Sequence, residues 1–155
     1  MAGFTGDDVL YGSNGNDSIF GDAGNDSIDG RGGNDVLQGL AGNDELFGGL
    51  GADTLYGGEG LDDLYGYTDS VSLVEADGNV LHGDVGDDLL VGSDGADYAY
   101  GYAGQDTLNG FGGNDSLYGD EDGDALAGGE GSDTCNGGSG NDTATSTCET
   151  LIGIP

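Results

Sequence analysis

A nine-residue period runs through this chain and constrains its fold more than any other property. Counting from Gly3, residues 3–65 divide into seven nonapeptides: GFTGDDVLY, GSNGNDSIF, GDAGNDSID, GRGGNDVLQ, GLAGNDELF, GGLGADTLY and GGEGLDDLY. The period resumes at Gly83 with GDVGDDLLV, GSDGADYAY, GYAGQDTLN, GFGGNDSLY, GDEDGDALA, GGEGSDTCN and GGSGNDTAT, ending at residue 145. All fourteen units have Gly at position 1 and Asp at position 6. All but one have Gly at position 4, the exception being Asp122, which Gly123 follows. Position 8 is Leu, Ile, Ala or Cys throughout. Such self-similarity marks an array in which each unit contacts its neighbours in the stack.

The positions of the nonapeptide assign themselves. Glycines at 1 and 4 permit positive φ and close backbone approach, so positions 1 to 6 form a tight turn. Positions 7 to 9 alternate outward, inward and outward, a three-residue strand. Two nonapeptides then close one coil, and coils stack in parallel at about 4.8 Å. The inward row is Leu10, Ile19, Ile28, Leu37, Leu46, Leu55 and Leu64, then Leu90, Ala99, Leu108, Leu117, Leu126, Cys135 and Ala144. One inward side chain in nine residues cannot offset the entropy of ordering the other eight. The turns must contribute the rest.

Stacking sets each turn over the turn 18 residues later. Asp8, Asp26, Asp44 and Asp62 fall in one row, and Asp17, Asp35 and Asp53 in another. In the second half Asp88, Asp106, Asp124 and Asp142 form one row, and Asp97, Asp115 and Asp133 the other. Carboxylates roughly 5 Å apart repel, and a hard divalent cation between them turns repulsion into coordination. Ca²⁺ fits, because it takes six to eight carboxylate and carbonyl oxygens in flexible geometry, whereas Mg²⁺ demands a tight octahedron. Softer metals lack ligands in a chain with one His and two Cys. Adjacent pairs in the rows predict about ten interior ions, with further ones at the ends and junction. Asx capping of the turns accounts for one such repeat as readily, but not for fourteen in phase.

Charge agrees. Asp and Glu total 31 against the single basic residue Arg31, a net charge of -30, and the chain holds 37 glycines. With Leu, Ile, Val and Phe at only about a fifth of the residues, the metal-free chain is expected to be disordered. Nucleic acid and anionic membrane surfaces are excluded as partners, since both need a basic face. No apolar run is long enough to span a bilayer. No basic n-region and apolar h-region open the sequence, so Met1-Ala2 running straight into repeats reads as a truncated or engineered start.

These units resemble the GGxGxDxUx repeats of the RTX (haemolysin-type) calcium-binding family, over nearly the whole chain. The departures are modest. The second glycine of the motif stands only at Gly49, Gly58, Gly129 and Gly138, and Asp122 replaces a glycine. The resemblance implies an all-β, right-handed parallel β-roll (a β-solenoid) of two short-strand sheets and about eight coils. It also implies secretion to a calcium-rich exterior and a role as a folding or spacing module. The long tail usual in type I secretion does not follow the repeats.

Four segments are expected within one continuous domain: repeats over 1–65, an interruption at 66–82, repeats over 83–145, and a cap over 146–155. The interruption, GYTDSVSLVEADGNVLH, is one residue short of two nonapeptides. Divided as 66–74 and 75–82, it forms a degenerate coil that keeps Leu73 and Leu81 in the core row, with Val71 in place of the turn Asp. The alternative is a bulged loop between two short rolls. Asp69, Glu75 and Asp77 are candidates for an irregular site. Cys135 is inward and Cys148 lies in the non-repeat tail. A disulfide between them would pin the tail over the last coil in an oxidising exterior, with free buried thiols the alternative. Leu151, Ile152 and Ile154 are expected to complete that cap.

Position 9 is rich in aromatics. If 66–82 keeps the alternation, Tyr11, Asp29, Phe47, Tyr65, His82, Tyr100 and Tyr118 share one line. Cross-strand packing explains such a line, and a self-association stripe is the functional alternative. Catalysis finds no support, since His82 is the one histidine and no Ser or Cys has a base at suggestive spacing. The function expected is thus a calcium-binding structural module that folds outside the cell. Alternatives are an adhesin or surface-layer spacer, or the non-catalytic tail of a secreted enzyme. Ice binding would need a regular Thr row, but position 3 reads Thr5, Asn14, Ala23, Gly32, Ala41, Leu50 and Glu59.

Overall fold

A computed structural model describes residues 1–67, 77–145 and 147–153. Its elements are all strands, placed alternately on two parallel sheets. One sheet has nine strands: β1 (Ala2–Thr5), β3 (Ser18–Ala23), β5 (Val36–Ala41), β7 (Thr54–Glu59), β9 (Val80–Val85), β11 (Tyr98–Ala103), β13 (Ser116–Glu121), β15 (Asp133–Asn136) and β17 (Cys148–Ile152). The other has eight: β2 (Val9–Tyr11), β4 (Ser27–Asp29), β6 (Glu45–Phe47), β8 (Asp63–Tyr65), β10 (Leu89–Val91), β12 (Thr107–Gly112), β14 (Ala125–Glu130) and β16 (Thr143–Ala144). One strand from each sheet makes a coil, giving a β-solenoid of about eight turns. Many strands run six residues rather than three, because positions 1 to 3 of the following unit stay in the ladder.

Register follows the 18-residue coil. Ile19 pairs with Leu37, Leu37 with Leu55, and Leu108 with Leu126. The position-8 side chains meet between the sheets in a single file, fully buried from Ile19 through Leu117 apart from Ala99 at 3% exposed. Leu10 and Ala144, at the two ends, are only partly covered.

Glycine serves a different purpose at each turn position. No position-1 glycine has positive φ. Glycine is required there because the Asp of the same unit occupies the space of a side chain. At Gly21 a Cβ would stand 2.2 Å from Asp26 Oδ2, and at Gly110 2.1 Å from Asp115 Oδ2. Position 4 needs both the conformation and the room: Gly42 has φ 142°, and its Cβ would meet the Gly24 carbonyl oxygen at 1.8 Å. Position 2, where the motif has its second glycine, is left-handed too, and there Phe4, Asp22, Arg31, Leu40, Asp84, Tyr102, Phe111 and Asp120 take φ of 74–84° without glycine. Each such residue stores about 1–2 kcal/mol of backbone strain. Asp122 also keeps its turn, at φ 70°.

The interruption departs from expectation. Leu55 pairs with Leu81, and Leu64 with Leu90, an offset of 26 residues instead of 18. The segment therefore supplies one unit, not a two-unit coil, and eight extra residues enter its turn between β8 and β9. The ladders from β7 to β9 and from β8 to β10 run across it. Leu81 joins the core, while Leu73, Val71, Asp69 and Glu75 lie outside the described residues. Losing one half-coil moves everything after it to the opposite sheet. The aromatic line is accordingly corrected: Tyr56, His82, Tyr100 and Tyr118 lie on one sheet, whereas Tyr11, Phe47 and Tyr65 lie on the other and are continued by Val91.

The C-terminal end closes as a half-coil. Strand β17 pairs with β15 through a register shift, and a disulfide joins Cys135 to Cys148, with Cα atoms 5.8 Å apart. Cys148 is buried, but Leu151 and Ile152 are 54% and 49% exposed and do not complete the cap. The shortened final turn puts the sulfur, not the aliphatic residues, over the core row. Ile154 lies outside the described residues.

Candidate metal sites along the two turn edges

The turns form two long edges of the roll. Along one stand Asp8, Asp26, Asp44, Asp62, Asp88, Asp106, Asp124 and Asp142. Each of the first seven donates its amide to Oδ1 of the next, at 2.8–3.1 Å. The 26-residue offset joins what the sequence presented as two separate rows, since the Asp62 amide reaches Asp88. Along the other edge the chain of bonds runs Asp17, Asp35, Asp53, Asn79, Asp97, Asp115, Asp133 and Glu149. Asn79 fills the position of a turn Asp, and Glu149 extends the row into the tail, its Oε2 accepting from the Asp133 amide at 2.6 Å. Neither residue was singled out in the sequence. Only the register marks Asn79, and only the shortened last turn brings in Glu149.

Successive carboxylates thus do not simply face one another. From Asp26 to Asp142 on the first edge, and at Asp35, Asp115 and Asp133 on the second, one oxygen accepts an amide and the other is stranded. Oδ2 of Asp26, Asp35, Asp44, Asp62, Asp88, Asp106, Asp115, Asp124, Asp133 and Asp142 is buried with no hydrogen-bond donor, in residues no more than 5% exposed; Oδ2 of the half-covered Asp8 is likewise orphaned. An unsatisfied buried polar atom costs about 1–3 kcal/mol, more when charged. A whole domain is stable by only about 5–15 kcal/mol. The file of stranded oxygens exceeds that margin unless a cation meets it.

Burial puts the same stress on the carboxyl groups. Burial, partly opposed by the amide bond, pushes Asp88 and Asp115 up to about 7, and Asp62, Asp106 and Asp124 up to about 6. Burial also raises Asp35, Asp44 and Asp97. Asp17 goes the other way, because the Ser13 amide and hydroxyl hold its carboxylate charged. Among the described residues no three His, Cys, Asp or Glu side chains converge on one point. A cation here must therefore draw on backbone carbonyls as well, which suits an oxygen-loving ion such as Ca²⁺ and not one that seeks His or Cys.

A second ladder lies beside the first, at position 5. Its Asn and Asp side chains accept the amide one coil further on, as Asp7 does from Asn25, Asn16 from Asn34, Asn25 from Asn43 and Asn114 from Ser132. Sequence reasoning passed over this row; its signal was the recurrent Asn before the Asp. Amide polarity runs oppositely in the two ladders, so each turn is tied to both neighbouring coils.

His82 stands among aromatic rings, not beside a nucleophile. It stacks on Tyr56 at 4.6 Å and Tyr100 at 5.2 Å, and Tyr100 stacks on Tyr118 at 5.0 Å. Its Nδ1 lies 3.0 Å from the Tyr102 hydroxyl, and burial lowers its pKa. Asp77, a candidate for an irregular site, is exposed, and its carbonyl accepts from Ser93 Oγ at 3.2 Å.

No curated protein matches the chain. A family profile of the RTX calcium-binding nonapeptide repeat matches it in four copies, over residues 2–37, 38–70, 75–108 and 109–144. The match spans a parallel roll with stranded carboxylate oxygens along both edges, and the chain belongs to the RTX calcium-binding nonapeptide-repeat family.

Proposed function

We propose that this chain is a non-catalytic structural module that folds outside the cell when Ca²⁺ binds its turns. The observation that carries this is the file of buried Oδ2 atoms without donors. Asp8, Asp26, Asp44, Asp62, Asp88, Asp106, Asp124 and Asp142 on one edge, and Asp35, Asp53, Asp115 and Asp133 on the other, would hold the ions together with turn carbonyls. Calcium supplies the positive charge that lets these carboxylates stay ionised in the fold. The continuous Asp8 edge adds a pair, Asp62 and Asp88, to the about ten ions expected from two separate halves. Ion binding and folding are then one event, because the turn ligands come together only in the stacked coils.

An extracellular setting is supported by millimolar calcium there and by the Cys135–Cys148 disulfide, a bond typical of oxidising compartments. The stacked position-9 rings favour cohesion between coils over a self-association stripe, since their faces are already covered by one another. A spacer between other domains is the form of use that fits a rod with about eight coils and a closed C-terminal end. Far-UV circular dichroism tests the core of this proposal. We expect coil in EGTA at neutral pH and β-structure in millimolar Ca²⁺, but not in Mg²⁺ alone. A β-spectrum that survives thorough chelation at pH 7.5 would refute it.

A further inference from the structure

Two turns differ from all the others, and both carry serine at position 2. Ser13 and Ser93 lack the left-handed φ that the other twelve nonapeptides adopt at this position, and Gly15 and Gly95, two residues on, lack it as well. In both, the serine is turned onto its own Asp. The Ser13 amide and Oγ donate to Asp17 Oδ2 at 2.7 and 2.9 Å. The Ser93 amide donates to Asp97 Oδ2 at 2.6 Å, and its Oγ lies 3.3 Å from the same atom. Each hydroxyl also accepts the amide of the position-4 glycine at 3.2 Å. The oxygen stranded elsewhere is here fully engaged, and neither Asp17 nor Asp97 has an orphaned Oδ2.

Around Ser93 the closure extends across the coil boundary. Asn79 Nδ2 lies 3.3 Å from Ser93 Oγ and 3.4 Å from the Gly66 carbonyl, and the Asn79 amide donates to Asp97 Oδ1 at 2.6 Å. Ser93 Oγ reaches the Asp77 carbonyl at 3.2 Å, the carbonyl that stands where other turns have that of the position-4 glycine. Asn79, Ser93 and Asp97 are 0%, 4% and 1% exposed. A cation needs lone pairs; this cluster presents N–H and O–H donors. Its one carboxylate is met by the Ser93 and Asn79 amides and lies within reach of the single Ser93 hydroxyl, and Asn79 brings no charge.

We infer that calcium fills the two edges unequally: the Asp8 edge takes an uninterrupted file of ions, whereas Ser13 and Ser93 close their turns without metal and leave a hydrogen-bonded joint in the middle of the Asp17 edge. This rests on the calcium-binding proposal above and goes beyond it, because the family motif assigns a ligand to every turn Asp, including Asp17 and Asp97. Through Asn79 the joint ties the Ser93 turn to the neighbouring turn, between β8 and β9, that accepts the eight extra residues. Metal-free closure lets that turn vary in length without disturbing an ion site, because its hydrogen bonds are made within and next to it.

Counting bound ions by native mass spectrometry at a fixed millimolar Ca²⁺ tests this. Ser93→Gly removes the hydroxyl from Asp97 Oδ2 and restores the consensus GG start, whose left-handed φ turns the position-2 amide away from the Asp as in the other turns, so the count should rise by one over the parent chain. Leu40→Ser places a serine before Asp44 at an exposed position where folding is not at stake, and the count should fall by one. An unchanged count in either variant overturns the inference while leaving the calcium proposal intact. A parent chain that binds no calcium sinks the underlying proposal instead, whatever the variants do.

Discussion

The two edges of the roll have the same strands, the same coil spacing and the same Asp at position 6, yet they do not present the same chemistry. The Asp8 edge repeats one solution seven times, from Asp26 to Asp142, each carboxylate with one oxygen bonded to an amide and the other stranded. The Asp17 edge departs from it at its start, its middle and its end, through Ser13, the Asn79–Ser93 cluster and Glu149. The lesson concerns donors. A turn that brings an extra N–H or O–H to the carboxylate is satisfied by the protein, and one that brings none requires a cation. The backbone conformation at position 2, together with any hydroxyl it carries, decides between them.

The largest effect separates metal from no metal. Chelation at pH 7.5 should abolish β-structure on both edges, since the Asp17 edge still strands oxygens at Asp35, Asp115 and Asp133. The pH dependence sharpens this. A carboxyl whose pKa is raised by folding makes its stability contribution below its unfolded value, near 3.9, and loses it as pH climbs through the folded value. For Asp62, Asp106 and Asp124 that folded value is about 6, and for Asp88 and Asp115 about 7. The chelated chain should therefore be more ordered at about pH 4 than at pH 7.5 by circular dichroism, and calcium binding near pH 6 should release protons measurable by calorimetry in buffers of different ionisation enthalpy.

Asp88→Ala comes next. It strips the middle of the uninterrupted edge and leaves the Asp62 amide without its acceptor. A cost of about 3–5 kcal/mol is expected in saturating Ca²⁺, as for one member removed from a buried charge network, read as a lowered thermal midpoint and a raised calcium midpoint. Replacing both Cys135 and Cys148 by Ala should cost about 2–4 kcal/mol and loosen chiefly the arm that delivers Glu149, visible as faster amide exchange in β17 with β3 to β7 unaffected. Ser93→Ala retains the backbone bond to Asp97 but leaves the Gly95 amide and Asn79 amide group short of a partner. About 1–2 kcal/mol is expected, with no change in bound ions, in contrast to Asp88→Ala. Smallest is Tyr100→Ser, which opens the ring stack at about 0.5–1.5 kcal/mol and should leave the sedimentation coefficient unchanged at high concentration. Dissociation of an oligomer in that variant would restore the self-association stripe.

Much of this molecule was legible residue by residue. In a solenoid the spatial neighbour of residue i is i+18, so a motif repeated in phase states its own tertiary contacts. That is why the core file from Ile19 to Leu126, the pairing of Asp26 with Asp44, and the inward Cys135 could all be placed in advance. Glycine at position 1 was foreseen for positive φ and close backbone approach, and only the second holds, as where a Gly12 Cβ would stand 2.4 Å from the Gly30 carbonyl oxygen. The φ at position 1 is ordinary, and a further constraint is the Asp Oδ2 lying where the Cβ would be, a contact between residues five apart that only a folded turn displays.

The period, the buried row and the acidic edges were determined by the amino-acid order alone, because each is a local pattern that stacking merely copies. Tertiary structure alone decided how the interruption is counted. Seventeen residues divide almost as well into two units as into one with eight added, and only the ladders from β7 to β9 and from β8 to β10 choose between them. That choice made Asn79 the heir of a turn Asp, joined Asp62 to Asp88, exchanged the faces of every later aromatic, and brought Ser93 within reach of Asn79. Register is a collective property of paired strands, and a composition-free gap in a repeat carries no local energy by which one register could announce itself.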